Sequence, residues 1–321
     1  MRILQTDFSF RHLLGSLAFM VAMTASLAHA DTREIATAYG PVSINGTPER
    51  VVTLYEGALD AAIATGVKPV GAVITRGGTG VAEYIQEKAG NVEIVGAPGE
   101  INIEAVVGQN PDLILASSRL TEEQYALLSR IAPTIVPDFP TLSPETWKKE
   151  TRLFSLALGR EEAGTNIIDT VEERTLEVAA LVEKHLGDTS TNTAVIRWMP
   201  QGPVVMSEDL FSSGLLAATG FEVNAADIVK EGRPHSHPLS QENLGMIDHP
   251  WIFLATLNAD GDEALAAARK SHAFQRLQAN RNDRIITVNG QLWSSASGPL
   301  AALQILDDIA DAMKSRSSAT Q

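Results

Sequence analysis

Residues 102–116 read NIEAVVGQNPDLILA, and residues 240–255 read SQENLGMIDHPWIFLA. The two stretches share one plan, with a single residue of offset. Each opens on a residue suited to a helix N-cap, Asn102 or Ser240, and each carries a glutamate two positions on, Glu104 or Glu242. A carboxylate there falls in the first turn, where the helix dipole favours negative charge. A short apolar helix is expected next, then a turn marked by Pro111 or Pro250, then an apolar run fit for a buried strand. The unit recurs once in each half of the chain, so the halves read as two copies of one architecture.

The flanking sequence keeps the same grammar. RVVTLYEGALDAAIATGVKPVGAV, residues 50–73, predicts a strand over Val51–Tyr55, a helix ending at Gly66 and a second strand entered through Pro69. Further strands are expected at Val92–Val95, Leu113–Ala116 and Thr134–Val136. In the second half TAVIRWM, WIFLAT and RIITV predict strands. SSGLLAATGF and the segment entered through Pro299 predict helices. Short apolar strands alternating with helices point to parallel α/β layering.

GREEAGTNIIDTVEERTLEVAALVEKHLG lies between the halves. Ala163, Ile167, Val171, Val178 and Val182 follow helical spacing, and Gly187 can close the segment. One helix from Arg160 to Leu186 would span about 40 Å at about 1.5 Å per residue. It would act as a strut between two lobes. The expected divisions are therefore 31–159 for the first lobe, 160–187 for the connecting helix and 188–321 for the second lobe.

Residues 1–30 read as a secretory signal. Arg2 and Arg11 flank the start of an apolar run from Leu13 to about Leu27, and Ala28 and Ala30 form an A-x-A cleavage site. No second run of spanning length follows, so an exported, soluble protein without stable membrane insertion is expected. The chain has no cysteine, which excludes disulfides, a thiol nucleophile and a thiolate metal site. A formal net charge of −14 argues against nucleic acid as a partner.

Catalytic patterns are absent. FSSG and SASG lack the spacing of a nucleophile elbow, no P-loop occurs, and Glu83 stands where a dinucleotide fingerprint beginning at Gly78 needs a small residue. The remaining candidates stand at strand ends, where α/β sheets bind ligands. They are Tyr55, Arg76, Arg119, Arg197, Trp198 and Trp293, with Arg233, His235 and His237 on the loop GRPHSHP. Arginine matches the geometry of carboxylates and other anionic oxygens, and aromatic faces suit a bulky ligand. Each residue also has an ordinary reading: a solvated arginine, a packing tryptophan, a core tyrosine with an outward hydroxyl. His235 and His237 alone fall short of the three or four ligands a bare metal site wants.

GPVSINGTPERVVTLYEGALDAAIATGVKPVGA, NIEAVVGQNPDLIL, PLSQENLGMIDHPWIF and LWSSASGPLAALQILDDI, in that order, resemble the class III periplasmic binding proteins of ABC importers. The ferric-siderophore branch, with its ferric-citrate and hydroxamate types, is the most similar. The resemblance implies an α/β fold of two Rossmann-like lobes joined by a single long backbone helix, with the ligand in the cleft between them. It implies a monomeric carrier rather than an enzyme, with a ferric siderophore as cargo and no cofactor, that docks on a dimeric ABC transporter permease of the inner membrane. The glutamates matching the family's docking motif are Glu104 and Glu242. Four arginines favour an anionic chelate of the carboxylate or catecholate kind. A direct metal-ion binder using His235 and His237, and a haem or cobalamin carrier of the same fold, are the alternatives. A departure stands at Pro250-Trp251, where relatives tend to carry an aspartate before the strand.

Overall fold

The computed structural model describes residues 32–139, 142–187, 189–225 and 228–317. The signal expected over residues 1–30 lies outside them. Val51, Val52 and Leu113 to Leu115 are fully buried, and runs apolar on both faces become central strands of a parallel sheet. Val51–Thr53 and Leu113–Leu115 pair in parallel at the middle of the first sheet. Its full order is Glu93–Ile94, Gly71–Ala72, Val51–Thr53, Leu113–Leu115, Thr134–Ile135, parallel throughout. Chain order reverses between the two central strands, and such a switch point opens a crevice beyond their carboxyl ends. The first strand stops at Thr53, short of the expected Tyr55, because Tyr55 is already the N-cap of the helix Glu56–Ala64.

The second sheet is built around Asn192–Met199. That strand pairs in parallel with Trp251–Thr256, which pairs in parallel with Ile285–Asn289. Gly202–Val205 runs antiparallel along its other edge, and Glu222–Val223 pairs with its start. A two-residue turn makes the antiparallel hairpin, whereas each parallel neighbour needs a helical crossover.

The helix Glu161–Leu186 joins the lobes over 26 residues, or about 39 Å at about 1.5 Å per residue. Glu161 and Glu162 begin it, Lys184 and His185 end it, and Gly187 leaves it at φ +49. Each charge matches the dipole at its end. The buried stripe is Gly164, Ile168, Val171, Val178, Val182 and Leu186, one residue over from the expected Ala163 and Ile167 at the start. Gly164 explains the shift: a Cβ there would lie 2.2 Å from Ser155 Oγ, so only glycine lets the preceding helix Thr146–Leu158 approach. The closing helix Pro299–Ser317 buries Ile305, Leu306 and Ile309 in the core that the long helix also faces.

The repeated unit differs between its copies at the helix start. Asn102 caps Ile103–Gly108, its Oδ1 accepting from Ala105 N at 3.0 Å. Ser240 does not cap in this way, contrary to the expectation. Gln241–Ile247 is a 3-10 helix, and the equivalent N–H, that of Asn243, goes to the Ser240 carbonyl at 3.0 Å instead of the hydroxyl.

Candidate functional site

The cleft has a volume of about 460 Å³ and takes its walls from both lobes, within the usual range for small-ligand sites. Tyr55 and Glu56 reach it from the end of Val51–Thr53, Arg76 from the loop after Gly71–Ala72, and Arg119 from beyond Leu113–Leu115. These positions flank the switch point of the first sheet. The second lobe supplies Arg197 from within its central strand, His235 from a loop, and Trp293 with the serines that follow it.

Arg197 is the unusual member. It is only 7% exposed, and its Nε has no hydrogen-bond partner among the described residues. Among the described residues its guanidinium makes one hydrogen bond, a weak one to Met199 Sδ at 3.9 Å. Burial, and then the charge of Arg76, push its pKa below the ordinary arginine value. Both effects disfavour the cation, and no acidic side chain forms an ion pair with it among the described residues. Arg76 and Arg119 stand exposed at the cleft and use their backbone amides locally, Arg76 N to Glu56 Oε1 and Arg119 N to Ser117 Oγ, each at 3.2 Å. Their guanidinium groups make no ion pair among the described residues.

Strand alternation separates Arg197 from its neighbour. Successive side chains point to opposite faces, so Trp198 turns away from the cleft. It is 3% exposed and packs edge-on against Phe274 with ring centroids 5.7 Å apart. Trp198 was expected at the ligand, and the structure places it in the core of the second lobe, off the cleft. Trp293 does reach the cleft wall, as part of the floor. Its ring stacks on Phe253 at 5.0 Å and its Nε1 donates to Asp308 Oδ2 at 2.8 Å.

The histidine loop is split by its own backbone. Ser207 N donates to Pro234 O, Ser236 N to Val205 O and Leu239 N to Pro203 O, so the loop runs along the strand Gly202–Val205. His235 sits at the cleft end, with Nδ1 against Ser236 O at 2.7 Å. Two residues of extended chain advance about 6–7 Å. His237 is accordingly exposed and off the cleft, and so is Arg233 before the turn. Among the described residues no group of three or more His, Asp or Glu is placed to hold a metal ion. Glu104 and Glu242 lie outside the cleft, each exposed in the first turn of its helix.

Two features of the cleft were missed from sequence. Glu150 faces it from Thr146–Leu158, and burial raises its pKa to about 7 against the hydrogen bond of Tyr55. Burial and the adjoining Glu150 charge raise the Tyr55 pKa well above the ordinary phenol value. Ser294, Ser295 and Ser297 supply hydroxyls from the second lobe. Helical spacing held the clue to Glu150: it shares a face with the buried Trp147, Thr151 and Phe154, a stripe where a carboxylate is out of place.

Comparison with known proteins agrees with this construction. A probable siderophore-binding lipoprotein of Bacillus subtilis, YfiY, is 27% identical over 295 residues, 89% of each chain. The achromobactin-binding periplasmic protein of Dickeya dadantii is 26% identical over 82% of this chain and 86% of its own. The crystal structure of Staphylococcus aureus SirA complexed with staphyloferrin B superposes with a TM-score of 0.77 at 27% identity, covering 88% of this chain and 99% of SirA. Residues 51–292, which include both sheets and the long helix between them, match the periplasmic binding protein model, and the chain belongs to that family.

Proposed function

We propose that this chain captures an anionic ferric siderophore in the cleft and delivers it to an inner-membrane ABC permease. The observation that carries the reading is Arg197, a buried guanidinium lining the cleft with no counter-ion among the described residues. A buried charge left unpaired is costly, and an anionic ligand between Arg197, Arg76 and Arg119 would remove that cost. The names of the relatives, siderophore-binding and achromobactin-binding, support a ferric chelate as that anion. Tyr55, His235 and Trp293 would pack or hydrogen-bond the rest of the chelate. A haem or cobalamin carrier calls for a more apolar cleft, and the divergence of His235 and His237 weakens the reading as a bare-metal site.

Glu104 and Glu242 would meet the permease, one from each lobe. The carrier would act as a monomer in the periplasm after loss of residues 1–30. No helix among the described residues is long and apolar enough to cross a membrane.

Tryptophan-fluorescence titration of metal-stripped protein tests the reading. Trp147 and Trp293 line the cleft and would report occupancy. Ferric citrate, a ferric catecholate, a ferric hydroxamate, haem, cobalamin and free iron, zinc and manganese ions are the arms. Saturable quenching by an anionic ferric chelate, with no response to free ions, is expected. Response to a free ion alone would overturn the proposal.

A further inference from the structure

Glu150 is 4% exposed, yet it borders the cleft. No cation forms an ion pair with it among the described residues, and the lysines beside it in sequence turn outward. Lys148 pairs with Glu145 at 2.8 Å and Glu172 at 2.9 Å, and Lys149 is exposed. Its neighbour across the cleft floor is Tyr55, whose hydroxyl lies within hydrogen-bonding reach of both Glu150 and Ser297. The cleft thus holds a buried acid and a buried base, Glu150 and Arg197, that do not neutralise each other. Glu56 is different, because Thr75 Oγ1 and Arg76 N both donate to it at 3.2 Å.

A cleft shaped only for anions would gain nothing from Glu150, since an ionised carboxylate there would repel them. The opposite signs sit on different elements. Arg197 comes from the central strand of the second lobe, and Glu150 comes from a helix of the first. A ligand that satisfies both must carry both charges.

We propose that Glu150, assisted by Tyr55, is a specificity residue that receives an ammonium group of the cargo, so that the favoured chelate is zwitterionic. Its anionic oxygens face Arg76, Arg119 and Arg197, and its amine faces Glu150. The proposal rests on the reading of the cleft as a ferric-chelate site. Selectivity comes from the unmatched case: an amine-free chelate leaves Glu150 buried with the Tyr55 hydroxyl but without a cation, and sites built around a polar group discriminate strongly against ligands that lack its mate.

The test compares three probes on the full chain. They are ferric citrate, the ferric complex of citrate joined through one amide to ethylenediamine, and the N-acetylated form of that complex. The wild-type protein is expected to bind the free-amine complex at least roughly tenfold more tightly than its acetylated form, the effect of one charged hydrogen bond. Glu150→Gln should erase that preference, the free-amine complex and its acetylated form binding the variant alike. Equal binding of the amine and its acetylated form by wild-type protein overturns the proposal without needing any variant to fold. A preference that survives in Glu150→Gln overturns the assignment to that residue. Failure of the wild-type protein to bind any ferric chelate removes the underlying reading instead, and the two failures are distinguishable.

Discussion

Asp60 accepts the backbone N–H of Leu300 on one carboxylate oxygen and that of Ala301 on the other, each at 2.8 Å. The Tyr84 hydroxyl donates to the second oxygen, also at 2.8 Å. Asp60 is wholly buried on the helix Glu56–Ala64, and the two amides begin the closing helix Pro299–Ser317. A carboxylate of the first lobe therefore caps a helix at the far end of the sequence. Gly298, at φ +118, makes the approach possible, since a Cβ there would lie 2.5 Å from the Asp60 side chain. Together with the long helix, this latch ties the two lobes to each other.

Asp60→Asn tests the latch. Asparagine keeps one acceptor but turns an NH2 toward an N–H, leaving a buried donor unsatisfied. The expected loss is about 1–3 kcal/mol of unfolding free energy by urea denaturation. Unchanged stability would show that the helix start finds other partners.

Burial also sets the direction of the pH dependence. It raises the pKa of Asp60 to about 7 against the pull of three donors, and that of Glu150 to about 7. Glu56 and Asp308 are pushed the same way by burial. A carboxyl whose pKa is higher folded than unfolded binds more protons in the folded state. Its stabilising effect is fully present below the unfolded value and is lost as pH rises through the folded one. Stability should therefore fall from about pH 4 to just above pH 7. Urea midpoints across that range check the slope, which Glu150→Gln should flatten. A midpoint that climbs through the range would contradict the assignment.

Arg197→Met separates binding from stability. Methionine fills similar volume without a buried, unpaired charge, so the variant should be as stable as the parent or more so. Affinity for an anionic ferric chelate should fall roughly tenfold to a hundredfold, as one or two charged hydrogen bonds disappear. Loss of both stability and binding would mean that Arg197 holds the lobe together.

Much of this was legible in the sequence because burial writes itself into hydrophobic period. WIFLAT is the strand Trp251–Thr256 as expected, and the recurrence of one helix–turn–strand unit announced two similar lobes. Tyr55, Arg76 and Arg119 reach the cleft because strand ends converge at a switch point, which follows from topology. Arg197 and Trp198 were ambiguous, since a strand end names two adjacent residues and only the pleat decides which one faces the ligand. Arg233 and His237 were placed at the cleft by proximity along the chain to His235. A loop that zips onto a strand edge has no strong period to reveal its path. Asp60 and Glu150 left the opposite kind of clue, one an acid within the apolar run GALDAAIA and the other an acid on the buried face of the amphipathic TWKKETRLF. Their partners lie on distant elements that no local pattern could name.

Glu104 and Glu242 lead to the remaining prediction. Each is exposed, outside the cleft, and near an exposed apolar side chain on the same short helix, Val107 at 53% and Met246 at 47%. As first-turn carboxylates they are worth about 0.3–1 kcal/mol to their helices, so replacing them should barely move stability. If they register the carrier on a basic permease surface, Glu104→Ala and Glu242→Ala should leave chelate affinity unchanged and weaken stimulation of the transporter's ATPase, the double variant most. Charge reversal to arginine should be worse than alanine, because like charges across an interface repel. Added salt should reduce stimulation by the wild-type carrier toward that of the double variant. Measurement in reconstituted vesicles with the ferric chelate present decides it. Full stimulation by the double variant would reduce both glutamates to helix-start residues.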